Sequence, residues 1–187
     1  MSDGPAYSPR VDAALVLAAE AFRHVRRSRS DVPYLMHLLQ VMVTVGENGG
    51  DEDQLIAAVL HDYLEDVPGT SEAELREKFG DRVARLVVAL TDSVERPKPP
   101  WKERKMRYLA HLANEPAEVK LISVADKIHN ARSIRRDRAH IGQRVWEKFS
   151  ASQEEVIWYY RELVRSLGRG WSHPLVDELA VEVEDLG

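Results

Sequence analysis

Apolar residues return every three or four positions along most of this chain, and that spacing belongs to helices packed on one side. The stretch "VDAALVLAAEAFRHV" from Val11 shows it, with little of the alternation a strand would need. "YLMHLLQVMVTVGENGG" follows and ends in a glycine pair, a helix stop. "DEDQLIAAVLHDYLED" opens on Asp51 as an N-cap, and "SEAELREKFG" opens on a capping box from Ser71 to Glu74 and ends at Gly80. "DRVARLVVALTDSV" comes next. The loop "ERPKPP" separates it from "WKERKMRYLAHLAN", which Pro99 and Pro100 can seed. Then come "PAEVKLISVADKIHNARSIRR" with Pro116 near its first turn, "SQEEVIWYYRELVRSL" with a second capping box from Ser152 to Glu155, and "HPLVDELAVEVEDL". No segment alternates like a strand, and no repeat or low-complexity tract interrupts the series. The pattern predicts one all-α domain over residues 1–187, a helical bundle of about eight to ten helices with residues 1–10 as a flexible lead-in.

Composition narrows the choice. At 187 residues, 44% hydrophobic and 30% charged, the chain suits a single ordinary core. It has no cysteine, so disulfides, thiolate metal sites and a thiol nucleophile are excluded. A net charge of −5 argues against a binder of nucleic-acid polymers. No apolar run approaches the roughly 20 residues that cross a bilayer, and "MSDGPAYSPR" lacks a signal pattern. A cytoplasmic protein is the expectation.

Packing does not explain "AAVLHDYLEDVPG". On a continuous helix His61 would neighbour Glu65, and Asp62 would neighbour Asp66. Three carboxylates this close repel one another unless a cation sits among them. Imidazole with carboxylate suits manganese, iron or zinc, while the plain alternative is a solvated acidic helix end. Two distant residues share the puzzle. His37 is the polar residue in the apolar run "VPYLMHLLQVM", either a core histidine bonded to a carbonyl or a ligand. Asp126 follows Ile122, Ser123, Val124 and Ala125, and needs either Lys127 or an ion to offset its burial. One ion shared by His37, His61, Asp62 and Asp126 would resolve all of these together.

The order H…HD…D resembles that of the HD-domain metal-dependent phosphohydrolases, and its detail is similar to the hydrolase domain of the RelA/SpoT homologues and the small alarmone hydrolases. The resemblance runs from about Ala14 to Arg136: "PYLMH" resembles PYxxH, "AAVLHDYLED" resembles AALLHDxxED, "KFGDRVARLVVALTD" is similar to FGxxVxxxVxxxTD, and "VADKIHNARSI" resembles LADKLxNLRxL. It implies His37, His61, Asp62 and Asp126 as ligands of one divalent ion, usually manganese, with iron or zinc as alternatives. It implies Glu65 and Asp66 as the acidic pair beside the attacking water, and Lys127 and Asn130 as nucleotide contacts. The chain departs from the family at the basic loop, where "SRSDVPY" has Ser28 in place of a basic residue, and at "TDSV", which lacks a lysine.

The expected activity is therefore a metal-dependent phosphohydrolase, foremost a guanosine-3′,5′-bis(diphosphate) 3′-pyrophosphohydrolase with a small anionic nucleotide as partner. The alternatives are an HD phosphohydrolase of another nucleotide or phosphate ester, and a non-catalytic nucleotide-binding regulatory or antitoxin-like module. Arginine's planar fork suits phosphate. Within "RHVRRSR" Arg29 lies nearest His37 in sequence, with Arg26 and Arg27 in support. Tyr34 either stacks on a base or packs. The clusters "KPPWKERKMR" and "RSIRRDR" read mainly as solvated faces. The aromatic region with Trp146, Trp158, Tyr159 and Tyr160 suits the core or a contact between copies of the chain, so a homo-oligomer stays open.

Overall fold

A computed structural model of the protein describes residues 6–27 and 30–187. The described residues form ten α-helices and one 3-10 helix, with no strand beyond a single antiparallel bridge between Arg26 and Pro33. The all-α expectation holds. The helices fall into two compact units, residues 1–91 and 92–187.

The first unit contains α1 (Pro9–Ala21), α2 (Leu35–Glu47), α3 (Glu52–Val59), α4 (Tyr63–Asp66), α5 (Glu72–Phe79) and α6 (Asp81–Leu90). Ser8 caps α1 by accepting from the Arg10 N–H, and its own N–H and hydroxyl both go to the Glu52 carboxylate at 2.8 and 2.7 Å. Arg10 continues the staple to Asp53 at 2.7 Å and to the Phe79 carbonyl at 2.5 Å. Ser8 and Arg10 are thus held by side-chain bonds, while residues 1–5 lie outside the described residues. The buried face of α1 is Val11, Ala14 and Ala18, small residues that let α3 approach closely. This helix stops at Ala21, four residues short of the segment read as helical. Residues 25–27 pair instead with residues 32–34, Arg27 N–H donating to the Val32 carbonyl and Tyr34 N–H to the Val25 carbonyl, both at 2.9 Å.

On α2 the buried stripe is His37, Leu38, Val41 and Val45, so His37 sits where the spacing requires a core residue. α3 opens on a complete capping box between Asp51 and Gln54. At α5 the box is half made: the Ser71 hydroxyl accepts from the Glu74 N–H, but the Glu74 carboxylate is taken by the Tyr63 hydroxyl at 3.1 Å. Gly80 then turns α5 directly into α6 with φ +90°, a conformation that would strain any residue carrying a Cβ.

The second unit contains α7 (Trp101–Leu112), α8 (Ala117–Ile141), the 3-10 helix Gly142–Lys148, α9 (Gln153–Gly168) and α10 (Pro174–Glu184). α8 is its axis, buried at every position from Val119 to Asp126. A helix buried on all sides needs partners for its polar residues. Lys120 is 2% exposed and meets no carboxylate there; its ammonium donates to the carbonyls of Ala113 and Arg169, which cap the C-terminal ends of α7 and α9. α10 is held to α8 by Arg132 on Glu178 and Glu182, and by Arg135 on Asp185. The arginines of "RSIRRDR" that looked solvated are in part this clamp.

Tyr159 is buried beside Trp101 and Tyr160, and its hydroxyl has no hydrogen-bond partner among the described residues. Burial raises the phenol well above its ordinary value of 10.0, against the pull of the Lys127 ammonium. A raised phenol stays neutral in the fold while the unfolded chain ionises, so this residue subtracts stability as pH climbs above 10.0. Tyr159→Phe should be neutral to about 1 kcal/mol stabilising at pH 7, since it removes an unsatisfied buried group. Its denaturation midpoint should also fall less steeply than wild type above pH 10, as measured by urea melts across that range.

Candidate metal centre

The predicted helix over residues 51–66 is broken at the residues that carry the chemistry. α3 ends at Val59, His61 and Asp62 occupy a turn, and α4 begins at Tyr63. His61 Nδ1 lies 2.7 Å from the Ala58 carbonyl, one of the last-turn carbonyls that a helix leaves without an internal partner. A carbonyl only accepts, so Nδ1 donates to it, the tautomer that leaves Nε2 as the metal-binding nitrogen whenever the ring is neutral. Geometry of this kind is what orients a metal-ligating histidine.

Asp62 Oδ2 lies 3.0 Å from His61 Nε2 and 3.7 Å from His37 Nε2. The two imidazoles meet edge to face, with centroids 5.1 Å apart, and each offers a ring nitrogen within 4.8 Å of the other. Both histidines are nearly fully buried. Tyr34, at the start of α2, donates its hydroxyl to the same Asp62 Oδ2 at 2.7 Å. Three of the four expected ligands are therefore in one place within the first unit. Their backbone sources are the first turn of α2 and the break after α3.

The fourth, Asp126, is a buried carboxylate of the second unit. It accepts from Lys127 Nζ at 2.6 Å and from Asn130 Nδ2 at 2.5 Å. Asp126 thus joins both of the other expected residues of "ADKIHN". Burial pulls the Lys127 ammonium down, but the Asp126 carboxylate outweighs it and holds Lys127 well above its ordinary value. Glu65 and Asp66 lie on α4, half-buried and exposed respectively. Because the helix breaks, their relation to His61 and Asp62 is not the continuous-helix spacing that the sequence suggested.

Arg29 lies outside the described residues. Arg26 pairs with Asp31 at 3.1 Å, and the Arg27 guanidinium lies 5.6 Å over the Tyr34 ring. Sequence reading missed Asp92, which takes Arg104 and, at 2.7 Å, Lys105. Two members of the cluster "KPPWKERKMR" are thereby half-buried ion-pair partners rather than solvated cations. Burial draws the Lys105 ammonium below its usual range despite Asp92. The alternation of apolar and basic positions in "WKERKMRYLAHL" was the available signal, and the acid that answers it lies in the preceding loop. His111 pairs with Glu115 and His173 caps α10, so neither belongs to this centre.

The HD domain family model matches residues 14–157. The guanosine-3′,5′-bis(diphosphate) 3′-pyrophosphohydrolase of Xenopus tropicalis is 36% identical over 155 residues, covering 78% of this chain and 84% of that protein. An Aquifex aeolicus protein of the same description is 30% identical over 168 residues, 90% of this chain but 23% of the longer relative. The solved structure of a metazoan SpoT orthologue that hydrolyses ppGpp superposes with a TM-score of 0.80 at 26% identity, covering 98% of this chain and 99% of that one. Two buried imidazoles beside the Asp62 carboxylate form a donor set suited to a divalent metal ion, and the chain carrying them belongs to the HD-domain family.

Proposed function

We propose that this chain is a metal-dependent hydrolase that removes the 3′-pyrophosphate from guanosine 3′,5′-bis(diphosphate). The observation that carries the reading is Asp62 Oδ2 set against both histidine nitrogens, in a chain most of whose length aligns with pyrophosphohydrolases of that substrate. His37, His61, Asp62 and Asp126 are the proposed ligands, and both units act together as one HD domain. Manganese is the proposed ion. When bound, it supplies Lewis-acid polarisation of the phosphoryl group and acidifies water.

The chain's own residues do the rest. Glu65 or Asp66 takes a proton from the water whose oxygen bonds to the 3′-linked phosphorus. The bond from that phosphorus to the 3′ oxygen breaks, the 3′ oxygen takes up a proton, and guanosine diphosphate and pyrophosphate leave. Lys127 and Asn130 meet the nucleotide, and Arg29 meets its 5′-phosphates. Action in the cytoplasm belongs to the same proposal; no helix among the described residues is long and apolar enough to cross a membrane.

Purified, manganese-loaded protein should convert guanosine tetraphosphate to guanosine diphosphate and pyrophosphate, resolved by chromatography of a nucleotide panel. Orthophosphate release would favour a different phosphohydrolase, and tight binding without turnover a regulatory module. Asp62→Ala and Asp126→Ala should each lose bound metal by elemental analysis; full occupancy in both would end the proposed ligand set. Glu65→Gln and Asp66→Asn should keep the metal, while at least one loses about 10²-fold or more in kcat. Normal turnover by both variants would remove the acidic pair from the reaction.

A further inference from the structure

Tyr34 was read from sequence as a base-stacking or packing residue. We propose instead that it is a positioning residue for the metal centre, its hydroxyl holding Asp62 Oδ2 in the ligand orientation. The inference rests on the metal reading above and concerns how the first unit prepares its ligands.

The ring is fixed on several sides. Phe22 stacks on it at 5.3 Å with an interplanar angle of 18°, His37 meets it edge-on at 5.4 Å, and the Arg27 guanidinium lies over it at 5.6 Å. The Tyr34 N–H is bonded to the Val25 carbonyl, so the backbone beneath the ring is also held. With the ring fixed, the hydroxyl donates to the Asp62 oxygen 2.7 Å away. That oxygen also faces the two imidazoles.

The phenol donates to the carboxylate oxygen that the two imidazole nitrogens face. It holds the Asp62 side chain in that orientation before an ion binds, and so shifts part of the ordering of the site from the moment of metal binding to the folding of the chain.

The test is Tyr34→Phe, which keeps the ring among Phe22, His37 and Arg27 and deletes only the hydroxyl. Metal-free wild type and variant are titrated with Mn2+, and affinity is read by competition with a chromophoric chelator. The variant should bind Mn2+ about 10- to 100-fold more weakly, the range found when a group supporting a ligand is removed. Its hydrolysis should need correspondingly more Mn2+ for half-maximal rate, with kcat largely restored at saturating metal. Its metal-free form should still unfold cooperatively, because the ring contacts survive. Unchanged Mn2+ affinity would overturn the proposal, and unchanged affinity with a raised KM would return Tyr34 to the substrate side. Wild type that takes up no Mn2+ would overturn the metal reading itself, and this inference with it.

Discussion

The hydrogen bond from His61 Nδ1 to the Ala58 carbonyl is the contact on which the centre depends. It satisfies a carbonyl of the last turn of α3, and so makes the break in the helix tolerable. It also fixes the ring tautomer, leaving Nε2 of the neutral imidazole turned toward Asp62. A helix continuing through residue 61 would carry Asp62 about 100° around the axis from His61, and two adjacent residues would then have difficulty serving one ion. The turn brings Asp62 Oδ2 to 3.0 Å from that nitrogen. An ordered turn that interrupts the helical hydrogen-bond ladder is therefore what brings these side chains together.

The break shows where sequence reading succeeds and where it stops. The candidate centre was legible because burial and polarity conflict at His37, His61 and Asp126, and such conflicts need a physical resolution. The break was not visible, because nothing between Leu60 and Tyr63 is a glycine or proline; a side chain accomplished it. The same limit applies at Ser71, where the predicted capping box gives up Glu74 to Tyr63. A local motif states which bonds are available. Tertiary neighbours decide which of them form.

Charge placement in the second unit was legible only in part. Lys127 was an evident partner for Asp126, one residue away, and it does bond to it. Asp92 with Arg104 and Lys105, and Lys120 with two helix-end carbonyls, involve residues from other elements, and no sequence spacing announces them. Buried and half-buried cations there have fixed acceptors, which favours a single arrangement of α7 and α8 because a shifted one would strand an ammonium without a partner. The exposed pairs of the clamp between α8 and α10, Arg132 with Glu178 and Arg135 with Asp185, are weaker evidence, since such pairs contribute only about 0.2–1 kcal/mol each.

The spacing in "PYLMH" acquires a physical meaning from these contacts. Tyr34 and His37 are three residues apart at the start of α2, and so lie on one face of it. One sends a hydroxyl to Asp62 Oδ2 and the other presents Nε2 to the same atom. Pro33 has no N–H to give, and the flanking bonds from Arg27 to Val32 and from Tyr34 to Val25 close the segment around it. The chain leading into α2 is thereby fixed at the residue before the phenol. The basic residues Arg26 and Arg27 belong to this fold-back, and Arg27 touches the ring that orients Asp62. Arg27 and Asp62 thus meet the same aromatic ring, one at its face and the other at its hydroxyl.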